Sequence, residues 1–412
     1  MKTLPLALAA LAAVVVTPAR AQEKPPEKKP AASAGADGFV IQSENGDYRL
    51  QVRGYTHFDG RFYPGDDAAV GTDAFLLRRV RPIVQGVVAK YFEFNITPDF
   101  GGGTTVLQDA FLNFKYSPKL QVRLGKYKSP VGLERLQSAT AITFVERAYP
   151  TSIVPNRDVG ALLHGELAGG VLTYAAGVFN GAPDGGSVDT DTNDGKDLEG
   201  RLFLSPLKKG KSVLKNLGFG ISGTTGKQVG SLASYRSGGQ LTIVTPATGV
   251  TADGTRTRFS PQLSLYTGRL GLLAEYASSD SRAKKADGTH AQFQVSGWQV
   301  TASLALTRDK ASYAGVKPAK AFDPGQGQWG ALELAARVNG FKVDEESVAA
   351  KLVDPAKSVS EAFAWGVGLN WSLNRNVKQV ADYERTTFTA GAAAGADRPA
   401  ENAFFIRTQI SF

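Results

Sequence analysis

The sequence predicts an all-β protein: a transmembrane antiparallel β-barrel of about 16 strands, with short periplasmic turns and long external loops. Three observations predict this class. From residue 48 onward, apolar and polar residues alternate at period two, as in strands with one apolar face. Many of these segments have roughly the 9 to 11 residues that a tilted strand needs to cross a bilayer. The links between them alternate between short and long, which is typical of outer-membrane barrels.

The N-terminus is predicted to be an export signal. Residues 1–21 combine the positive charge of Lys2, an apolar run that begins at Leu4, and an Ala-x-Ala cleavage site at 19–21. The apolar run falls short of the roughly 20 residues of a membrane-spanning helix, which argues against a transmembrane anchor.

The signal is followed by residues 22–47, which are rich in Pro, Lys and Ala and are expected to form a flexible segment. The barrel is expected over residues 48–412. Its predicted strands lie at about 48–60, 73–88, 91–98, 105–116, 119–127, 158–168, 170–180, 197–204, 216–225, 257–267, 269–279, 291–307, 328–341, 361–373, 376–388 and 402–412.

The segment AFAWGVGLNWSL shows what the alternation leaves open. Trp365, Leu369 and Trp371 fall on one face, and Asn370 lies on the other among small residues. In a membrane barrel the apolar face meets lipid and the polar face lines a lumen, whereas in a soluble sandwich a second sheet covers the apolar face. The even strand number and the unequal links favour the barrel. At sixteen strands we expect the lumen to be too wide for side chains to fill, so that water occupies it.

The predicted links fall into two sets. The short ones lie at 89–90, 117–118, 169, 268 and 374–375. The long ones lie at 61–72, 128–157, 181–196, 226–256, 280–290, 342–360 and 389–401. Two links on the short side are exceptions to this rule, because residues 205–215 and 308–327 make them long.

Eight segments carry a resemblance to a known family. They are GYTHFDGRFY (54–63), FLLRRVRPIVQG (75–86), YFEFNITPDFGGG (91–103), LGKYKSPVGLERLQSA (124–139), FVERAYP (144–150), RDVGALLHGEL (157–167), YAAGVFNG (174–181) and GQWGALELAARV (327–338). In order and spacing they resemble the phosphate-selective porin O/P family of Gram-negative outer membranes.

This resemblance implies a homotrimeric porin with sixteen strands, in contact with outer-membrane lipid and lipopolysaccharide. It also implies that the third external loop, here about 128–157, folds into the pore. The terminal Phe412 resembles the last aromatic residue of outer-membrane barrels, which their assembly machinery reads. The function implied is passive diffusion of small hydrophilic solutes, with a preference for anions and with phosphate or polyphosphate as the suggested substrate.

The candidate selectivity residues are the cations expected inside the pore. The inward register and the loop 128–157 select Arg53, Arg79, Arg81, Lys115, Arg123, Lys126, Lys128, Arg135, Arg147 and Arg157. Fixed cations replace part of an anion's hydration shell at a constriction, and the planar fork of arginine suits phosphate. The alternative hypothesis is that these charges only solvate the lumen and pair with opposing acids.

No catalytic site, metal site or cofactor is predicted, and the chain is expected not to be an enzyme. It has no cysteine, and its three histidines share no metal-ligand spacing. No nucleic-acid partner is expected. The main alternative is a secreted all-β enzyme or carbohydrate-binding protein, whose large aromatic side chains would be covered by protein. A barrel that serves mainly as an adhesin or structural anchor is a third hypothesis.

Overall fold

The computed structural model describes residues 31–65, 71–191 and 193–412. The signal peptide predicted over 1–21 lies outside the described residues. The strands in chain order are β1 (Ala31–Gly35), β2 (Gly38–Gln42), β3 (Arg49–Phe62), β4 (Ala74–Val88), β5 (Phe92–Asp99), β6 (Val106–Ser117), β7 (Leu120–Lys128), β8 (Arg157–Leu167), β9 (Leu172–Phe179), β10 (Asp197–Leu204), β11 (Gly218–Ser231), β12 (Tyr235–Arg236), β13 (Thr242–Val244), β14 (Thr251–Thr267), β15 (Leu270–Lys284), β16 (His290–Ala305), β17 (Ala331–Val343), β18 (Val359–Ser372), β19 (Val377–Ala390) and β20 (Glu401–Ser411).

The barrel consists of β3 to β11 and β14 to β20, which are sixteen antiparallel strands at the predicted positions. Each pairs with its neighbours in sequence, and β20 pairs with β3 from Phe404 opposite Phe62 to Ser411 opposite Tyr55. This last ladder closes the sheet. The prediction of a closed sixteen-stranded barrel is confirmed. Closure has a physical reason, because a sheet can satisfy its backbone in hydrocarbon only by having no free edge.

The N-terminal segment corrects one prediction. The part of 22–47 that the structure describes is not a featureless flexible chain, because β1 and β2 form a hairpin. Strand β2 pairs with β3 over 49–52, beyond the point where β20 ends. Residues 49–52 of β3, which β20 does not reach, therefore form their backbone hydrogen bonds with this hairpin. Such pairing is favoured because an unpaired strand edge leaves backbone polar groups without partners.

The apolar faces of the strands point outward. In β18, Trp365 and Leu369 are each 41% exposed, whereas Asn370 between neighbouring outward residues is 2% exposed. A soluble all-β enzyme or binding protein would cover these side chains with a second layer, and the described residues place none over them. The alternation in the sequence therefore corresponds to an outer apolar surface and an inner polar one.

The links define two ends of the barrel. The turn end has short links at 89–91, 118–119, 168–171, 268–269 and 373–376, together with the two long exceptions, which span 205–217 and 306–330. The loop end has links at 63–73, 100–105, 129–156, 180–196, 232–250, 285–289, 344–358 and 391–400. Strands β15 and β16 extend into the predicted loop 280–290, which leaves a link of only 285–289.

The interior differs from the expected water-filled bore. At the loop end, a cluster of buried apolar side chains joins the inner wall of β15 to β19 with the links 232–250 and 344–358. Tyr235, Ile243 and Leu352 are its central members, each at most 1% exposed. The prediction that side chains leave the lumen unfilled is wrong on this side, because long loops fold inward and bury their apolar residues there.

The helices are short. They are α1 (Leu133–Leu136), α2 (Pro150–Ile153) and α3 (Glu345–Ala349), with 3-10 turns at Pro324–Gln326 and Ala393–Gly395. Within the described ranges, no helix has the length and apolar character needed to span a membrane.

A charge on the outer face is expected to hinder assembly. Leu369→Arg places a guanidinium against hydrocarbon and should lower the free energy of unfolding by about 2–4 kcal/mol if the site lies near the bilayer midplane. Denaturant titration in lipid vesicles measures this loss. The control is Leu207→Arg in the link 205–217 at the turn end, where the free energy of unfolding should change by no more than about 0.5 kcal/mol. Equal losses in both variants would contradict the outward assignment of Leu369.

Candidate functional site

The link between β7 and β8, residues 129–156, lies against the inner wall of the barrel; we call it the inward segment. Strand side chains hold its backbone. Glu275 of β15 accepts a hydrogen bond from the Leu133 N–H (2.6 Å), and Asp382 of β19 accepts one from the Val145 N–H (2.7 Å). Arg337 of β17 donates to the Glu146 carbonyl oxygen (2.9 Å). The wall thus supplies the partners that a buried loop needs for its polar backbone.

A cavity of about 850 Å³ remains between the inward segment and the wall formed by the first barrel strands. Its lining is strongly cationic. Nine lysine and arginine side chains contribute to it: Arg53, Arg78, Arg79, Arg81, Lys128, Arg135, Arg147, Arg157 and Arg236. Four acids contribute as well: Asp99, Asp109, Glu146 and Asp184. The balance of fixed charge around the cavity is therefore positive.

Each of the four acids is paired with an arginine. The distances from arginine Nε to carboxylate oxygen are 2.8 Å for Arg78 and Glu146, 2.7 Å for Arg81 and Asp99, 3.1 Å for Arg157 and Asp109, and 2.7 Å for Arg258 and Asp184. Their negative charge is thus neutralised locally and does not offset the other cations of the cavity.

Three cations of the inward segment and of the adjoining end of β7 are held by neutral acceptors. The Lys128 ammonium donates to the carbonyl oxygens of Leu136 (3.2 Å) and Gln137 (2.8 Å). Arg147 donates to the same Gln137 oxygen (2.8 Å). Arg135 donates to the Asn156 side chain (3.2 Å) and to a backbone carbonyl of α2. Among the described residues, none of the three forms a salt bridge, so no carboxylate in direct contact cancels their charge.

Two further cations on the strands also meet neutral partners. Arg53 donates to the Gln85 side chain (3.2 Å), and Arg79 lies 3.2 Å from His57 Nδ1. Together with Arg236, six of the nine cavity cations have no carboxylate partner in the described parts of the chain.

The cations in the inward segment lie close enough to affect one another. Burial, and then the charges of Arg147 and Arg157, lower the pKa of Arg135 to about 9. Burial opposes the ionisation of Glu146, but Arg78, together with Arg79 and Arg407, more than compensates and holds the pKa of that carboxyl well below its usual range. An anion entering the cavity would relieve the mutual repulsion of these cations.

Seven of the ten predicted residues line the cavity: Arg53, Arg79, Arg81, Lys128, Arg135, Arg147 and Arg157. The other three do not. Lys126 is buried and pairs with Asp189, and Lys115 is exposed and pairs with Glu93 (2.8 Å). The guanidinium of Arg123 lies over the ring of Phe111, 4.5 Å from its centroid.

Two cavity cations were missed by the sequence prediction. Arg78 lies in a β-bulge, where β3 residues His57 and Phe58 pair with Arg79 and Leu77 of β4. The extra residue breaks the period of two, so Arg78 joins Arg79 on the inside although alternation places it outside. Arg236 lies in the link 232–250, which has no periodicity to indicate its direction.

No metal centre is formed by the described side chains, since no three His, Asp or Glu residues converge on one point. What the arrangement offers is a water-accessible cavity with fixed positive charge.

Comparisons with known proteins agree with this architecture. The family model for phosphate-selective porin O and P matches residues 50–412. A search of curated protein sequences finds no significant match.

Solved structures with the same fold are outer-membrane proteins. The outer membrane channel DcaP of Acinetobacter baumannii aligns with a TM-score of 0.58 and 11% identity, over 90% of this chain and 99% of its own. The anion-selective porin from Comamonas acidovorans has a TM-score of 0.55 and 10% identity, over 89% and 100%. The trimer form of OmpT from Vibrio cholerae has a TM-score of 0.56 and 11% identity, over 89% and 99%. At such identities the likeness extends to the fold.

The pair between Arg78 and Glu146 is expected to hold the inward segment to the wall. Arg78→Met should lower the free energy of unfolding by about 3 kcal/mol, because it leaves the Glu146 carboxylate buried without its main partner. Denaturant titration in detergent micelles measures the loss. The double variant Arg78→Met with Glu146→Gln should recover most of it. If the double variant loses as much as the two single variants combined, the two residues do not act as a pair.

Proposed function

We propose that this chain, which belongs to the phosphate-selective porin O and P family, conducts small anions by passive diffusion and prefers oxyanions of the phosphate class. The family and the barrel make the chain a channel of the Gram-negative outer membrane rather than an enzyme. The preference for anions, and for phosphate among them, is the proposal.

One observation carries the proposal: six of the nine cations that line the cavity have no carboxylate within salt-bridge distance among the described residues. The cavity acids are all paired, whereas Lys128, Arg135 and Arg147 bind carbonyl and amide oxygens only. Electroneutrality then requires mobile anions near these side chains. Low-dielectric walls focus the field and raise the local anion concentration.

Conduction needs sites that attract an anion without retaining it. Each cation of the cavity has donors left after its bonds to carbonyl oxygens, and these can replace water molecules around an anion one at a time. Several weak sites in succession let an anion move on. No bond is made or broken, and the driving force is the concentration gradient.

The phosphate preference rests on the chemistry of the cluster together with the family. Arginine forks present paired N–H donors that match two oxygens of a phosphate, which a spherical chloride cannot use. The family is described as phosphate-selective, and the Comamonas acidovorans porin of the same fold is described as anion-selective. A tetrahedral anion with two charges also offsets more of the repulsion among the cavity cations than chloride does.

The remaining parts of the proposal concern assembly. Residues 1–21 direct export, and the inward segment narrows the pore of each protomer. Three copies assemble, as in the trimer form of Vibrio cholerae OmpT. The exposed apolar bands then meet either membrane lipid and lipopolysaccharide or a neighbouring copy.

Competition between anions tests the substrate class. In single-channel recordings with chloride as the carrier, phosphate and pyrophosphate should reduce the chloride current at concentrations well below that of chloride, because they occupy the cation cluster for longer. Sulfate controls for charge alone, since it is a divalent oxyanion of similar size. If phosphate and pyrophosphate leave the chloride current undiminished and only add their own, there is no phosphate site. The channel would then be a general anion pore.

Charge reversal tests the residues. Lys128→Glu, Arg135→Glu and Arg147→Glu should each shift the zero-current potential in a salt gradient toward cation selectivity, because each removes one uncompensated positive charge and adds a negative one. Recording at 0.1 M salt, where the Debye length is about 10 Å, keeps the effect large. Lys115→Glu is the matched control, since Lys115 lies outside the cavity lining and is already paired with Glu93. Three unchanged potentials would remove the inward segment from the selectivity mechanism.

A further inference from the structure

The long link 306–330 contacts the inward segment from the turn end of the barrel. We call this link the turn-end link. Tyr313 of this link donates from its hydroxyl to the Leu133 carbonyl oxygen (2.6 Å). The Tyr313 carbonyl oxygen in turn accepts a hydrogen bond from the side-chain amide of Gln137 (2.8 Å). Two hydrogen bonds thus join the two segments at one residue of the link.

The barrel wall holds the turn-end link in this position. The Ala311 N–H donates to the Gly268 carbonyl oxygen (2.9 Å) in the turn between β14 and β15. Ser372 at the end of β18 donates to the Val316 carbonyl oxygen (3.4 Å). The link is therefore tied to the wall on either side of Tyr313 and can act as a fixed support.

Gln137 connects this support to the cation cluster. Its side chain is buried and donates both to Tyr313 and to the Ala141 carbonyl oxygen (3.1 Å). Its own carbonyl oxygen accepts from Lys128 and from Arg147, each at 2.8 Å. One residue thus has its side chain fixed by the turn-end link and its main chain bonded to two cations.

The shared acceptor has an electrostatic consequence. Two like charges repel and would separate if they were free to move. A carboxylate between them would hold them together but would also neutralise them. The Gln137 carbonyl oxygen holds them together and leaves their net charge in place, provided that the backbone at residue 137 stays where it is.

We propose that Gln137 is a positioning residue for selectivity: fixed by Tyr313 of the turn-end link, it keeps Lys128 and Arg147 side by side at the narrow part of the pore. This inference rests on the proposed anion conduction. It adds that a segment at the turn end, away from the cation cluster in the sequence, determines how strongly the channel prefers anions.

Gln137→Met tests the proposal. The substitution keeps the side-chain length and its burial but removes the amide that binds Tyr313 and Ala141. The anion-to-cation permeability ratio, taken from the zero-current potential in a potassium chloride gradient, should fall about threefold or more, because both hydrogen bonds that fix the Gln137 side chain are lost. The open-channel current should also become noisier, because the carbonyl oxygen that Lys128 and Arg147 share is no longer fixed in place.

The matched control is Gln409→Met. Gln409 of β20 also donates its amide to a carbonyl oxygen of the inward segment, that of Thr140 (3.3 Å), but neither residue bonds to a cavity cation. A ratio that stays at the wild-type value in Gln409→Met and falls in Gln137→Met supports the proposal. Equal falls in both variants would overturn it, because the cause would then be general loosening of the inward segment.

Tyr313→Phe gives a second variant in case Gln137→Met does not assemble. It removes only the hydroxyl bond to Leu133 and should produce a smaller fall in the same ratio. A wild-type ratio in a correctly assembled Gln137→Met or in Tyr313→Phe overturns the positioning role and leaves the anion channel intact. A wild-type channel without any anion preference would instead refute the proposed function itself.

Discussion

The charge of the cavity depends on the kind of acceptor that each cation meets. A carboxylate holds a lysine or arginine and cancels its charge, whereas a main-chain carbonyl oxygen holds it and leaves the charge in place. The structure uses both kinds. Carboxylates pair with arginines within the wall, as in Arg81 and Asp99, and between the wall and the inward segment, as in Arg78 and Glu146. Carbonyl oxygens hold Lys128 and Arg147, whose charge the proposed anion conduction uses.

This division is possible because the barrel supplies a rigid inner wall. Sixteen strands leave room for a loop to lie inside, and the wall offers Glu275 and Asp382 as acceptors for backbone N–H groups of that loop. The apolar cluster around Tyr235 and Leu352 occupies the wall of β15 to β19 at the loop end. The cation-lined cavity lies on the side of the first barrel strands.

The sequence predicts the strands well because the pleat of a sheet imposes a period of two on every strand that separates lipid from water. It fails where that period is interrupted or absent. Arg78 was missed because a bulge adds one residue to β4, and Arg236 because its strand β12 has only two residues and shows no alternation. Lys126 and Arg123 do not line the cavity, because one is buried in an ion pair and the other lies against aromatic rings. Long-range contacts such as Gln137 with Tyr313 leave no local pattern, since the two residues lie far apart in the chain.

The zero-current potential of the wild-type channel tests the central claim most directly. A planar bilayer separates potassium chloride solutions of about 0.1 M and 1 M, and the potential at zero current reports which ion crosses more easily. If carbonyl-held cations leave the cavity with uncompensated positive charge, the potential has the sign set by chloride. A potential near zero, or one with the sign set by potassium, would contradict the account.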